Sequence, residues 1–190
     1  MKLKTHKLTV LEESIQVTDL ASSTSPEFIE SEINNDCYGI NRISLPDDAT
    51  IVDIGANIGI FSIMMSKKLP DAEIHCYEPQ MINYQNLKSN IELNGLGLGI
   101  TANNLAVTKD GRDIVIYNDK NNTGRSSIYR KDRSCNNYNT IKSVTLSSII
   151  DSITSTRESI DYLKIDIEGA EYELFEDRTK QYPSVKHLVS

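Results

Sequence analysis

The spacing of hydrophobic positions changes along this chain, and each change marks an element. Ile51 to Met65 reads I-V-D-I-G-A-N-I-G-I-F-S-I-M-M: a short apolar run, a turn of small residues, then apolar residues at helical spacing. It predicts a strand, a tight turn at Gly55, Ala56, Asn57 and Gly59, and a helix. Glu73 to Tyr77 predicts the second strand, and Met81 to Asn94 a helix that stops at Gly95, with Ile82, Leu87, Ile91 and Leu93 partly on one face. Ile100 to Ala106 is expected as the third strand, and Asp113 to Tyr117 as a short one after the turn signal Lys109-Asp110-Gly111. Ile160 to Ile167 predicts the fourth main strand, its alternation sending Tyr162, Lys164 and Asp166 to one side and Leu163, Ile165 and Ile167 to the other. A helix follows through Glu171 to Phe175, and Val185 to Ser190 opens a fifth strand.

Strands alternating with helices imply an α/β fold, a mostly parallel open sheet with helices on both faces. The first 50 residues carry the weakest pattern: a β-like start at Leu8 to Val10, a Ser/Thr-rich patch at Ser22 to Ser25, and a helix begun by Pro26 after Ser25 as N-cap. We divide the chain into a helical or extended cap segment, residues 1–45, and a ligand-binding domain, residues 46–190. Either the sheet is truncated after the fifth strand, or its edge is covered by a partner, which leaves room for a homo-oligomer, or by the N-terminal region.

The turn sets the ligand chemistry. Glycine lets bare backbone approach a ligand and takes positive φ without strain. A dinucleotide site requires G-x-G-x-x-G, but Ile60 stands where the third glycine belongs, which disfavours a NAD-dependent oxidoreductase. Asp53, two residues before Gly55, would repel a pyrophosphate and favour a cationic nucleoside.

V-D-I-G-A-N-I-G at Val52 to Gly59, C-Y-E-P at Cys76 to Pro79 and L-K-I-D-I-E-G-A-E at Leu163 to Glu171 together resemble the FkbM family of S-adenosylmethionine-dependent methyltransferases. The likeness spans Tyr38 to Val189 with the three blocks in order. It implies a Rossmann-like class I methyltransferase fold with S-adenosylmethionine as cofactor. On this resemblance Gly55, Ala56, Asn57 and Gly59 hold the methionine part, and Asp53 meets its ammonium directly or through water. Tyr38 falls where the family often carries a tyrosine near the cofactor pocket; a packing aromatic is the alternative. The family's Gly-x-Ser-Ser segment matches Gly124, Ser126 and Ser127, which would line a loop over the site. V-T-L-S-S-I-I at Val144 to Ile150 departs from the family pattern: Ser147 and Ser148 replace two acids, so no role is carried over from them.

Glu78, beside Pro79 at the end of the second strand, sits where nucleotide-binding α/β folds place an acid for ribose hydroxyls; a solvated strand-end acid is the plain alternative. Asn104 is placed to reach the adenine, or else serves as a turn former. Asp166 and Glu168 are the candidate bases, with Asp166 also on the cofactor side; helix capping is the alternative for such a pair, and the two roles can coexist. No histidine is given a role.

Composition narrows the partners. A formal charge of −7 argues against a general nucleic-acid or anionic-membrane binder. The three cysteines show no C-x-x-C spacing, so neither a zinc site nor any other metal is expected, and they read as reduced cytoplasmic thiols. No apolar run approaches membrane-spanning length. The expected reaction is O-methylation of a small metabolite or a sugar in a glycan. The rivals are an RNA methyltransferase of similar fold and a noncatalytic S-adenosylmethionine-binding module.

Overall fold

The hydrophobic alternation builds a five-stranded parallel sheet in the order β11-β10-β3-β4-β5. The computed structural model describes residues 2–117, 138–167, 171–175 and 182–190. In chain order the elements are β1 (Leu3–Val10), β2 (Glu13–Leu20), α1 (Ser25–Asn34), β3 (Thr50–Ile54), α2 (Ile60–Lys68), β4 (Glu73–Tyr77), α3 (Met81–Leu93) and β5 (Ile100–Asn103). They continue with β6 (Ala106–Thr108), β7 (Ile114–Tyr117), β8 (Tyr138–Ile141), β9 (Ser143–Thr145), α4 (Leu146–Thr154), β10 (Ile160–Ile165), α5 (Glu171–Leu174) and β11 (Val185–Val189). The chain lays down β3, β4 and β5 outward, then crosses back to place β10 on the other side of β3. That reversal is the point in an open α/β sheet where ligands bind, outside the carboxyl ends of the strands.

Period-2 alternation assigns the two faces. Ile51, Ile74, Cys76 and Tyr162 pack with Phe61 and Met64 of α2, Leu87 and Ile91 of α3, and Val10, Ile15 and Val17 of the first hairpin. Val52, Ile54, Leu163 and Ile165 pack on the opposite face against Leu146, Ile149, Ile150 and Ile153 of α4. Helices on both faces explain why β3 and β10 are buried along their whole length.

Four expectations change. Leu3 to Leu20 form an antiparallel hairpin of β1 and β2, where the pattern predicts only a β-like start at Leu8 to Val10. The expected third strand divides: β5 ends at Asn103, and Ala106 starts β6, which pairs with β9 outside the main sheet. A strand that the sequence pattern did not predict, β8, pairs antiparallel with β7. The cap of α1 is Thr24, without a side-chain bond, and Ser25 is already helical.

Candidate functional site

The turn after β3 is held from beneath by the neighbouring strand. The N–H groups of Gly55 and Ala56 both donate to the carbonyl of Tyr77, at 2.9 and 3.1 Å. Gly55, Asn57 and Gly59 adopt φ of +81°, +52° and +93°. A Cβ on Gly55 would run into the carbonyl oxygen of Asp166, so the turn after β3 butts against the end of β10. At Gly59 a Cβ would lie 2.5 Å from Leu87 Cδ1, where α2 and α3 close up. Both glycines answer two demands, positive φ and missing volume.

Glu78 closes the next side. Its Oε2 accepts from the Asn57 N–H at 2.9 Å and its Oε1 from the Gln80 N–H at 2.8 Å, tying the turn to the start of α3. It is buried, and burial pushes its carboxyl up to about 7 against the pull of the Gln80 and Asn57 N–H groups. Asn104 donates through Nδ2 to the carbonyls of Glu78 and Pro79, both at 2.9 Å, fixing the backbone of this corner.

Across the reversal, Lys164 of β10 is in register with Asp53 of β3. Lys164 Nζ donates to Asp53 Oδ1 at 3.1 Å and lies 3.7 Å from Asp166 Oδ2. Ser62 donates to Asp53 Oδ2 at 2.6 Å, and the Cys76 thiol contacts the Ser62 hydroxyl at 3.0 Å. Asp53 is fully buried with both oxygens engaged. Burial alone would lower the Lys164 pKa, but Asp53 and Asp166 more than offset it and hold the ammonium above its ordinary range. The Tyr38 and Phe61 rings lie 5.0 and 5.6 Å from Nζ.

Asp166 is the solvent-facing acid of the group, its side chain 46% exposed. Its Oδ2 accepts from the Tyr38 hydroxyl at 2.8 Å. Burial and the Asp166 charge push the Tyr38 phenol well above its usual pKa, so it stays a donor. The Tyr162 hydroxyl donates to the Tyr38 carbonyl and anchors that segment to β10.

Asp53, Gly55, Ala56, Asn57, Gly59, Glu78, Pro79, Asn104 and Asp166 are therefore gathered at one end of the sheet, where β3, β4 and β10 finish. Glu168, Gly124, Ser126 and Ser127 lie outside the described residues. Two features escaped the sequence reading. Lys164 was placed on a face but not paired with Asp53, because a contact across 111 positions leaves no local trace. Asn86, Asn90 and Asn94 carry a legible N-x-x-x-N-x-x-x-N spacing along α3.

The methyltransferase FkbM domain matches residues 53–186 of this chain. Methyltransferase sdnD of Sordaria araneosa is 31% identical over 180 aligned positions, 80% of this chain and 69% of its own length. Methyltransferase 1 of Beauveria bassiana is 28% identical over 193 aligned positions, 86% of this chain and 74% of its own length. Among solved structures, a methyltransferase FkbM from Methylobacillus flagellatus KT aligns with a TM-score of 0.49 at 18% identity. That alignment covers 72% of this chain, which spans 30% of the solved one.

Proposed function

The chain belongs to the FkbM methyltransferase family, and from that premise we propose that it transfers a methyl group from S-adenosylmethionine to a hydroxyl of a small metabolite or sugar. The observation that carries this reading is the meeting of the turn with two acids: Gly55 against Asp166, and Asn57 bonded to Glu78.

The donor set suits such a cofactor. Asp53, Glu78 and Asp166 surround the turn with Lys164 as the one cation bonded within the group among the described residues, an acidic balance fitted to a ligand that carries an ammonium and a sulfonium. Bound there, S-adenosylmethionine supplies a methyl carbon that the sulfonium makes electrophilic.

The chain's own residues do the rest. Glu78 keeps a lone pair on each oxygen beyond the bonds to Asn57 and Gln80, and accepts from ribose hydroxyls. Asp53 acts from behind, through Lys164, and fixes the end of β10. Asp166 takes or orients the proton of the acceptor hydroxyl, held at its angle by the Tyr38 hydroxyl. Holding the acceptor in line is the main contribution left to the protein, and positioning of this kind is worth several kcal/mol, about 7 at its lower limit in well-oriented systems.

Titration calorimetry with S-adenosylhomocysteine tests the cofactor half: a folded sample that gives no heat rejects it. A panel of hydroxylated metabolites and sugars incubated with labelled S-adenosylmethionine tests the acceptor half. Label in an alkali-stable ether supports it, whereas label only on nitrogen or on RNA overturns it.

A further inference from the structure

Helix α3 presents three asparagines one turn apart toward the hairpin. Asn86 Nδ2 lies 3.4 Å from Asp19 Oδ1. Asn90 Oδ1 accepts from the Thr18 N–H at 2.7 Å, and Asn90 Nδ2 reaches the Thr18 carbonyl at 3.3 Å. Asn94 repeats the pattern two residues along, accepting from the Gln16 N–H at 3.1 Å and donating to the Gln16 carbonyl at 2.6 Å. Four residues of helix rise about 6 Å and two of strand about 6.6 Å, so Asn90 and Asn94 meet successive outward-facing peptide groups of β2, at Thr18 and Gln16, while Asn86 reaches only the Asp19 side chain. The side-chain amides thus stand in for a missing strand along an edge that would otherwise be open.

Asn90 does one thing more. It is wholly buried, and its Nδ2 also donates to the carbonyl of Ile58 at 2.9 Å, inside the turn. Two peptides earlier, the Asn57 N–H is held by Glu78. The turn is therefore gripped between Glu78 on the ligand side and Asn90 on the hairpin side. Asn94 bonds to the hairpin and to the Asn90 carbonyl of its own helix.

We infer that Asn90 is a positioning residue for the Gly55 to Gly59 turn, through which docking of the N-terminal hairpin and binding of the cofactor strengthen each other. The inference rests on the cofactor reading above. Coupling of this kind is reciprocal: whatever steadies the turn steadies the hairpin, and loosening the hairpin loosens the turn.

Hydrogen exchange and calorimetry test it together on the full chain with S-adenosylhomocysteine as probe. In the wild type, ligand is expected to slow exchange across residues 13–20 of the hairpin as well as in the turn. Asn90→Asp keeps the acceptor for Thr18 but sets a carboxylate oxygen against the Ile58 carbonyl. It should weaken the ligand about tenfold, the scale of a buried carbonyl that has lost its donor, and speed exchange of the turn amides even without ligand. Asn94→Ala, which leaves the bond to the Ile58 carbonyl in place, should loosen the hairpin and weaken the ligand in the same direction but by less than Asn90→Asp does. Ligand that binds while leaving hairpin exchange unchanged overturns the coupling, as does an Asn90→Asp protein that binds like wild type. The wild-type exchange comparison decides even if the variant does not fold. Where no ligand binds, the cofactor reading fails instead, and turn exchange in unliganded Asn90→Asp against Asn94→Ala still decides whether Asn90 holds the turn.

Discussion

Lys164 Nζ stands 3.1 Å from Asp53 Oδ1 and 3.7 Å from Asp166 Oδ2, one buried ammonium joining the strand that carries the turn to the acid at the end of the next strand. Because Asp53 is fully buried, its charge is tolerable only while that ammonium remains. The pair thus fixes the relative positions of β3 and β10 where the sheet reverses.

Removing one partner of a buried pair leaves the other uncompensated, at a cost of about 3–5 kcal/mol, whereas removing both charges costs far less. Lys164→Met should therefore lower stability by that amount in urea denaturation, and adding Asp53→Asn should restore most of it. A single variant within about 1 kcal/mol of wild type would show that water, not Lys164, compensates Asp53.

Glu78 predicts a pH dependence. Its folded pKa is raised from 4.5 to about 7, chiefly by burial. An acid with a raised folded pKa binds more protons folded than unfolded, so its contribution is complete below 4.5 and is lost as pH rises through 7. Between pH 5 and pH 8 wild type should lose roughly 2–3 kcal/mol relative to Glu78→Gln, followed by denaturation at intermediate pH values. Parallel curves for the two proteins would mean that Glu78 ionises in the fold as it does unfolded.

The parts of the fold legible in the sequence are those with local causes. Ile51 to Met65 announced β3, the turn and α2 because apolar period and glycine placement act over a few residues. The β1–β2 hairpin stayed hidden because its reversal is made by Leu11 and Glu12 at φ of +44° and +74°, where a hairpin normally uses Asn or Gly. That turn is supported from outside, Asn34 accepting from the Leu11 N–H at 2.8 Å. The early end of β5 was equally nonlocal: Asn104 turns its amide to the carbonyls of Glu78 and Pro79. Alternation puts Lys164 on the same side as Asp166, but its pairing with Asp53, 111 positions away, has no local signature.

Gly55→Ala adds a methyl group where the Asp166 carbonyl already sits, at a φ of +81°. The left-handed backbone costs an alanine about 1–2 kcal/mol before any displacement of β10 is counted. A loss of about 2 kcal/mol or more in unfolding free energy is expected, with S-adenosylhomocysteine affinity down at least about tenfold, since the turn and Asp166 cannot both keep their places. Unchanged affinity in a folded Gly55→Ala protein would remove the turn from the ligand site.

The two parts proposed for Asp166 separate in kinetics. A base that meets only the acceptor proton acts in the transition state, so Asp166→Asn should lower turnover by about 10²–10⁴ and leave S-adenosylhomocysteine affinity within about threefold. A carboxylate that holds the cofactor would instead lose affinity with little further loss at saturation. Tyr38→Phe refines the comparison, because it keeps the carboxylate and removes the hydroxyl that donates to Oδ2 at 2.8 Å. Losing one hydrogen bond to a charged group is worth about 1.5–3 kcal/mol, so turnover in Tyr38→Phe should fall by roughly ten- to a hundredfold. In a Tyr38→Phe, Asp166→Asn double variant that loss should vanish, since the phenol would act only through the acid. Full additivity of the two losses would place Tyr38 in direct contact with the substrate.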